Sequence, residues 1–530
     1  MVQLNEFLAA SRDFFFLAAI LSCLLWLAFS YGGALRRFKR LSIGGALRGN
    51  EGRILVLVFA FGVVLRLFYL LTFSFNDEPF YIYAAYQVFL GHQPYVDFFF
   101  SQPPLDLILT ALVFRLFGVG VVQFHLMPFL LSVASLPLMY LLSRRVLGDG
   151  AGAVFSTLLF STSLLLGSLT ATNNLYSTMT FMSMLSLWLF LDGVKKERPT
   201  LLFFAGIAAS MAFWSRLFGI LPLACEILFL AWSQRQRSIR PVLHIAGGFI
   251  AFSAVVLLFF YSPNFVYQVF LHHSKFPDCY VEGKLIHLLG SAFKELLVWV
   301  FGVAGVLAYL FRRPAKKKDS NGSYLILFYL ALAFLAVVFV KRPCFFSHVY
   351  MHSVILLFPL CVFGGWFIAR IPVRFILLVV MAVSLSISAC SDSLIDVYSQ
   401  NQQVITAVSY VQNKTNSGDL IFGSPAVTGV AAILSGRIIP PDGIEFFENR
   451  FYADNVSVGY FSNVTKGVAC FIDTNYQVSS VVPSSFPASY TKRYEEMVIE
   501  ITGALNQMNF TSKNVMGNIV VYCRPSTPSS

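Results

Sequence analysis

The sequence contains about twelve separate apolar runs, each close to the length that crosses a bilayer. A membrane-spanning helix needs about 20 predominantly apolar residues. Each run has to be helical, because lipid offers no hydrogen-bonding partner to open backbone groups. With 57% hydrophobic and only 12% charged residues among 530, the chain is predicted to be a polytopic α-helical membrane protein. The predicted spans are 12–31, 54–75, 121–143, 151–169, 174–193, 200–215, 217–233, 242–262, 288–311, 323–340, 353–370 and 374–390.

Lysine and arginine residues cluster in the short segments between these runs, and they account for the net charge of +12. Such clusters favour the cytoplasmic side of a membrane. If all of them face the cytoplasm, the twelve spans alternate without conflict and both termini lie outside. The charge therefore indicates membrane topology, and a nucleic-acid partner is not expected. The basic segments are 36–53, 144–145, 195–198, 235–240, 312–318 and 370–374.

The segment between the second and third runs, residues 76–120, is predicted to form a large outer loop. Within it, Pro103 to Phe117 is apolar but short for a span, and it contains Asp106 and Arg115. Counting this segment as a span would place the basic pair 144–145 outside. We therefore expect an interfacial or re-entrant helix on the outer surface.

The composition changes after about residue 392, and no later run is long enough to span a bilayer. Strand-like segments at 419–423, 468–473 and 518–523 accompany helix-like segments at 398–412 and 494–508. This pattern predicts a small extracytoplasmic α/β domain at 393–530, following a transmembrane core at 1–392. Cys470 and Cys523 both lie on strand-like segments, where a disulfide and two buried thiols are equally compatible with the sequence.

Four carboxylates, Asp77, Glu78, Asp97 and Asp106, follow within 31 residues of the apolar run 54–75. Acids clustered at the boundary of an apolar helix often serve a function. The alternative for Asp77 and Glu78 is helix capping, since residues 76–79 read Asn-Asp-Glu-Pro, which is a favourable helix start. Both roles are compatible with the sequence.

The order of these motifs resembles that of the GT-C class of lipid-carrier-dependent glycosyltransferases, particularly the protein O-mannosyltransferase and aminoarabinose-transferase type. In those enzymes the first long outer loop carries an acidic pair, then a tyrosine-bearing helix, then a Pro-Pro-Leu element. Gln102 stands where the family often has lysine, and Asn173-Asn174 stands where it often has aspartate. The corresponding motifs here are Asp77-Glu78, then Tyr81, Tyr83 and Tyr86, then Gln102-Pro103-Pro104-Leu105.

The resemblance implies transfer of one hexose or pentose from a dolichyl- or undecaprenyl-phosphate donor to a glycan, lipid or protein acceptor outside the membrane. Glycosyl transfer needs a carboxylate that takes the proton of the acceptor hydroxyl. The leaving phosphate needs cations that hold its growing charge. We expect Asp77 to be the base and Glu78 to be the second catalytic carboxylate, with Glu78 or Asp97 orienting the acceptor or the donor sugar.

Further substrate-binding residues are expected in the outer loops. Tyr81 and Gln102 belong to the resembling motifs, and His348 with Tyr350 lies in a loop that resembles the donor-proximal segment of the family. Lys341 and Arg342 have the alternative of snorkelling at a helix end. The candidate phosphate cations are Arg216, Lys341, Arg342 and His348.

Histidines at 272, 273, 348 and 352 suggest a divalent metal as a cofactor, but their spacing is not diagnostic. Solvated loop histidines are the alternative, and no other cofactor is indicated.

Two other functions remain open on the sequence. A secondary transporter would show internal repeats and broken, charge-lined helices at the membrane midplane, whereas no repeat is apparent here. A non-catalytic assembly subunit of a membrane glycosylation complex would use the outer domain as a binding module. Activity of the purified chain alone would distinguish such a subunit from an enzyme.

Overall fold

The protein is described by a computed structural model that is mostly helical. The described residues are 17, 18, 20–22, 49–73, 77–233, 239–275, 281–311, 321–339, 351–372, 376–444, 464, 466–474, 499, 503, 510 and 512–524. The helices are α1 (Glu51–Tyr69), α2 (Glu78–Leu90), α3 (Leu105–Phe117), α4 (Val121–Leu147), α5 (Gly150–Thr162), α6 (Leu164–Ala171), α7 (Tyr176–Lys196), α8 (Pro199–Ser215), α9 (Leu221–Ser233), α10 (Arg240–Phe260), α11 (Val281–Lys294), α12 (Leu296–Phe311), α13 (Asn321–Phe339), α14 (Val354–Arg370), α15 (Ile376–Lys414) and α16 (Pro425–Ser435).

Every predicted span from 54–75 onward contains a helix in its described part, whereas the first predicted span, 12–31, falls almost wholly outside the described residues. Among the described residues, five helices are long and apolar enough to cross a membrane, namely α1, α4, α7, α10 and α13. Two bent pairs, α5 with α6 and α11 with α12, raise that number to seven if each pair is one span. The chain is thus built like a polytopic membrane protein, and the number of twelve crossings stays a prediction.

The α5–α6 pair bends by 68° at Ser163. The Ser163 side chain accepts a hydrogen bond from Leu166 N at 3.2 Å, and Glu295 Oε1 accepts one from Leu165 N at 2.5 Å. Glu295 is itself the residue between α11 and α12, which meet at 107°. The backbone groups released by the break therefore find side-chain partners inside the bundle, as a low-dielectric environment requires.

Helix α3 forms within the segment that was predicted to be interfacial. Its 13 residues rise about 20 Å at 1.5 Å per residue, which is less than a hydrocarbon core of about 30 Å. The helix follows Pro103-Pro104 and ends at Gly118, which adopts a left-handed φ of 80°. It packs against α2 and α4 and leaves Leu112, Leu116 and Phe117 exposed. A helix of this length does not span, and its place on the outer surface stays a prediction.

The C-terminal part contains a four-stranded sheet with the order β1-β2-β4-β3. The pairing is parallel between β1 and β2 and antiparallel elsewhere. Cys470 and Cys523 are opposite each other in the β2–β4 ladder and form a disulfide. Of the two possibilities compatible with the sequence, a disulfide and two buried thiols, the structure has the disulfide. The strands are β1 (Ile421–Gly423), β2 (Cys470–Thr474), β3 (Ser512–Met516) and β4 (Ile519–Cys523).

Helix α15 connects the two parts of the chain. It runs for 39 residues through the predicted boundary at residue 393, so the predicted helix 398–412 is its last portion. The predicted helix 494–508 lies almost entirely outside the described residues. The domain division at 392 and 393 stays a prediction.

The sheet region packs closely on helix α2. The amide of Ile439 donates a hydrogen bond of 2.9 Å to the hydroxyl oxygen of Tyr83. A Cβ atom at Gly429 of α16 would lie 2.2 Å from the carbonyl oxygen of Pro79, so only glycine permits this approach. The segment 76–120 and the sheet consequently share one hydrophobic core. The start of α2 is therefore packed against α16, next to the sheet.

Candidate active site

Asp77 stands at the N-cap position of α2, but its side chain makes no capping hydrogen bond within the described structure. The residue is half-buried. Tyr81 lies one turn further along the helix and donates a long hydrogen bond, 3.5 Å, from its hydroxyl to Asp77 Oδ2. The carboxylate is therefore directed to the side of the helix, towards the Tyr81 hydroxyl.

Arg216 lies at the junction between α8 and the short helix Leu217–Ile220. Its backbone is extended, with φ −154° and ψ 137°, and this conformation ends α8. Its Nη1 donates a hydrogen bond of 3.1 Å to the carbonyl oxygen of Asn174. The guanidinium carbon lies 4.1 Å from the centre of the Tyr176 ring, a distance typical of a cation–π contact. Only 8% of Arg216 is exposed.

The charge of Arg216 is stabilised by groups from two elements, α2 with its N-cap and α7. Burial on its own lowers the pKa of Arg216, but interactions with Tyr176, Tyr81 and Asp77 more than offset this effect, so the pKa is raised overall. Tyr81 also forms a side-chain hydrogen bond with Arg216. A permanent cation and the Asp77 carboxylate thus meet at Tyr81, which links the two predicted residues physically.

Asp106, in the first turn of α3, is a second carboxylate beside Arg216 that sequence reasoning did not assign to the site. It is 1% exposed and accepts hydrogen bonds from Thr178, at 2.5 Å, and from Ser215. Burial raises the pKa of Asp106, an effect opposed by Ser215, Thr178 and Arg216. The signal in the sequence was its position directly after Pro-Pro-Leu.

Glu78 is directed into the protein interior. Its side chain is fully buried, and its Oε1 lies 2.8 Å from His125 Nε2 of α4. The same oxygen accepts a hydrogen bond of 2.8 Å from the backbone amide of Asn173. Glu78 and Asp77 are neighbours in sequence, yet their carboxylates face different surroundings. No feature of the sequence singled out His125.

The turn between α6 and α7 carries contacts for both Glu78 and Arg216. The Asn173 side chain donates to Thr110 Oγ1 at 3.0 Å, while the Asn174 carbonyl binds Arg216. Leu175 has a left-handed φ of 65°, a conformation that costs a non-glycine residue about 1 kcal/mol or more. The two asparagines, which stand where the family often has aspartate, therefore hold the site together through this strained turn.

Two of the four candidate histidines are buried rather than solvated. His272 and His352 are 1% and 8% exposed, so that expectation was wrong for both. The Tyr176 hydroxyl and His352 Nδ1 lie 2.9 Å apart, and His273 Nε2 lies 2.8 Å from the Ser101 carbonyl oxygen. Within the described residues, no group of three metal-binding side chains comes together.

The other predicted residues lie beside the site or outside the described residues. Asp97 is exposed, and its Oδ2 accepts a hydrogen bond of 2.6 Å from Gln93 N in its own turn. Gln102 is half-buried, and its carbonyl oxygen accepts a hydrogen bond of 2.7 Å from the Tyr95 hydroxyl. Lys341, Arg342, His348 and Tyr350 lie outside the described residues.

The chain is similar to known proteins in part of its sequence and in its fold. A family model described as dolichyl-phosphate-mannose-protein mannosyltransferase matches residues 101–260, a range that contains Asp106, Asn173, Asn174 and Arg216. An uncharacterized protein of Aquifex aeolicus (strain VF5) is 25% identical over 188 residues, which are 34% of this chain. The match spans 36% of that relative's length.

Two solved structures resemble the chain over nearly its whole length. ArnT from Cupriavidus metallidurans, solved bound to undecaprenyl phosphate, has a TM-score of 0.61 at 14% identity and covers 90% of this chain and 98% of its own. The oligosaccharyltransferase of Archaeoglobus fulgidus has a TM-score of 0.56 at 13% identity, covering 90% and 75%. The chain therefore has the GT-C fold of membrane glycosyltransferases. The resemblance inferred from the motifs is confirmed at that level.

Proposed function

We propose that this chain is an integral membrane glycosyltransferase that moves one sugar from a polyprenyl phosphate to an acceptor outside the membrane. The observation that carries the proposal is the meeting of Asp77, Tyr81 and Arg216 at the start of α2. An acid and a buried cation joined by one hydroxyl provide a proton acceptor and an anion site within one constellation. The GT-C fold supports this function over that of a secondary transporter.

The chemistry follows from the charges that develop during transfer. The acceptor oxygen attacks the anomeric carbon, and the bond from that carbon to the phosphate oxygen breaks. Asp77 accepts the proton of the acceptor hydroxyl, which makes the oxygen a better nucleophile as the sugar gains oxocarbenium character. The phosphate leaves with its electron pair and needs little protonation, because a nearby cation stabilises its charge.

Arg216 is the proposed phosphate cation. Its guanidinium is positioned by the Asn174 carbonyl and the Tyr176 ring, so little ordering is required when an anion binds. The loop between α13 and α14 is proposed to complete the donor site with Lys341, Arg342, His348 and Tyr350. Asp97 and Gln102 are proposed to contact the acceptor or the donor sugar from the exposed turn of the first loop.

We further propose that the site and residues 393–530 face the extracytoplasmic side of the cell membrane. The Cys470–Cys523 disulfide supports this orientation, because disulfides persist in oxidising compartments. The basic segments between the helices support the same orientation. A glycan, a lipid and a protein are all compatible acceptors.

Lipids extracted from the purified protein test the proposed donor. Mass spectrometry should find a polyprenyl phosphate or its glycosylated form bound to the wild type and depleted in Arg216→Ala. A second extraction, from Arg145→Ala, serves as the control, since Arg145 pairs with Asp192 on the predicted cytoplasmic side. Equal polyprenyl-phosphate content in all three proteins would argue against a donor site at Arg216.

A further inference from the structure

His125 has an oxygen atom at each of its two ring nitrogens. Nδ1 lies 3.3 Å from the Leu70 carbonyl oxygen, and Nε2 lies 2.8 Å from Glu78 Oε1. A carbonyl oxygen can only accept, so Nδ1 carries a proton. At 2.8 Å, Nε2 and Glu78 Oε1 would repel each other if neither carried a proton, so we infer a proton on one of them. The pair is then either an imidazolium beside a carboxylate or a neutral ring beside a carboxylic acid. In both cases the two side chains together carry no net charge.

The same Glu78 oxygen joins the two segments that hold the proposed base and the proposed phosphate cation. On one side, Glu78 follows Asp77 directly in the chain. On the other, Glu78 Oε1 binds the amide of Asn173, and the next residue, Asn174, binds Arg216 through its carbonyl oxygen. Asp77 is half-buried at the site, whereas Glu78 and His125 are fully buried.

We propose that Glu78 and His125 form a neutral buried pair that positions Asp77 relative to Arg216, and that Glu78 is a positioning residue which takes no part in proton transfer. This inference rests on the proposed function and assigns the two acids of the Asp-Glu motif separate roles. Because His125 neutralises Glu78, Glu78 adds no uncompensated negative charge next to the Asp77 carboxylate. Displacement of a reacting group by about 1 Å can lower a rate by about 10²-fold. The contact between Glu78 and His125 can therefore affect the rate without touching the substrate, because it sets the position of Asp77.

The matched variants Asp77→Asn and Glu78→Gln distinguish the two roles, because the same isosteric change is made at adjacent positions. In Glu78→Gln the side-chain oxygen that replaces Oε1 can still accept from the backbone amide of Asn173 and from a protonated His125 Nε2. The variant therefore keeps the size of the side chain and these two contacts, but it removes the negative charge. Glu78→Gln should retain a transfer rate within about tenfold of the wild type, whereas loss of a general base in Asp77→Asn should lower it about 10²-fold or more.

Glu78→Ala separates positioning from simple stability. It leaves both His125 and the Asn173 amide without their partner, so transfer per folded molecule at saturating donor should fall at least tenfold, on the scale of about 10²-fold given by misplacement. Glu78→Gln should restore that rate. A second comparison uses His125→Ala, which leaves the buried carboxylate without its partner. The double variant Glu78→Gln/His125→Ala should melt at a higher temperature than His125→Ala alone.

Two results would overturn the inference. If Glu78→Gln is as inactive as Asp77→Asn, Glu78 acts directly on the substrate. If Glu78→Ala keeps the wild-type rate per folded molecule, the pair contributes only to folding. An inactive wild type would instead count against the proposed function, and the melting temperatures would still decide whether the pair is neutral: a double variant Glu78→Gln/His125→Ala that melts above His125→Ala supports it, and one that melts no higher refutes it.

Discussion

Replacing Arg216 by alanine should weaken binding of the polyprenyl-phosphate donor by at least tenfold. Arg216 is 8% exposed, stacks on Tyr176 and is fixed by the Asn174 carbonyl. A preorganised, poorly solvated guanidinium makes a stronger contact with phosphate than a surface cation does. Losing one charge-assisted hydrogen bond costs about 1.5–3 kcal/mol, and each 1.4 kcal/mol is about tenfold in affinity. The expected loss therefore lies between about 10-fold and 150-fold.

The lysine variant at this position separates charge from geometry. Arg216→Lys keeps one positive charge but cannot present the planar guanidinium to both Tyr176 and Asn174, so its donor affinity should fall between those of the wild type and Arg216→Ala. The assay is equilibrium binding of a polyprenyl phosphate to purified protein in detergent, with the melting temperature of each variant as the folding control. Unchanged donor affinity in a folded Arg216→Ala protein would refute the assignment of Arg216 to the donor site.

Three further predictions concern topology, packing and pH. The topology is tested with single cysteines at the exposed positions Lys414 and Lys195, after native accessible thiols are removed. The cysteine at position 414 should react with an impermeant thiol reagent from outside intact cells, and the cysteine at position 195 should not. The opposite pattern would reverse the proposed orientation. Gly429→Ala places a Cβ atom 2.2 Å from the Pro79 carbonyl oxygen, so it should lower the free energy of unfolding by about 1–3 kcal/mol and slow transfer. Gly52→Ala, in the first turn of α1 with open space around it, should lower neither the free energy of unfolding nor the rate of transfer. Burial raises the pKa of Asp473 from 3.8 to about 6, so the free energy of unfolding falls as pH rises through that interval. Asp473→Asn should therefore raise the melting temperature at pH 7.5 but not at pH 3.5. An equal shift at both pH values would contradict ionisation of Asp473 as the cause.

The sequence predicts the helical elements well because the bilayer imposes their length and polarity. All eleven apolar runs from 54–75 onward coincide with helices, and the short, charged α3 is distinguished by the same criteria. Strands β1, β2 and β4 follow from their apolar patterns, whereas the mostly polar β3 (Ser512–Met516) was not predicted. The bends at Ser163 and Glu295 have no comparable signal, because they depend on which distant side chain satisfies the open backbone groups.

The site is only partly predictable for the same reason. Arg216 stands out because a charge at a helix junction in an apolar sequence is costly. The roles of Asp77 and Glu78 cannot be told apart from two adjacent acids, since their difference arises from His125 and Asn173, which are 47 and 95 residues from Glu78 in sequence. The capping alternative for Asp77 likewise depends on side-chain direction, which the motif does not specify.

Sugar transfer by the purified chain tests the central claim most directly. The wild type and Asp77→Asn would be reconstituted in liposomes with radiolabelled polyprenyl-phosphate sugars and an extracytoplasmic extract of acceptors, and the released polyprenyl phosphate would be measured. Asparagine caps helices about as well as aspartate, so the variant should fold and bind donor normally. We expect donor-dependent transfer by the wild type and a rate lowered at least about 100-fold in Asp77→Asn. Wild-type transfer that persists undiminished in a folded Asp77→Asn protein would contradict the account.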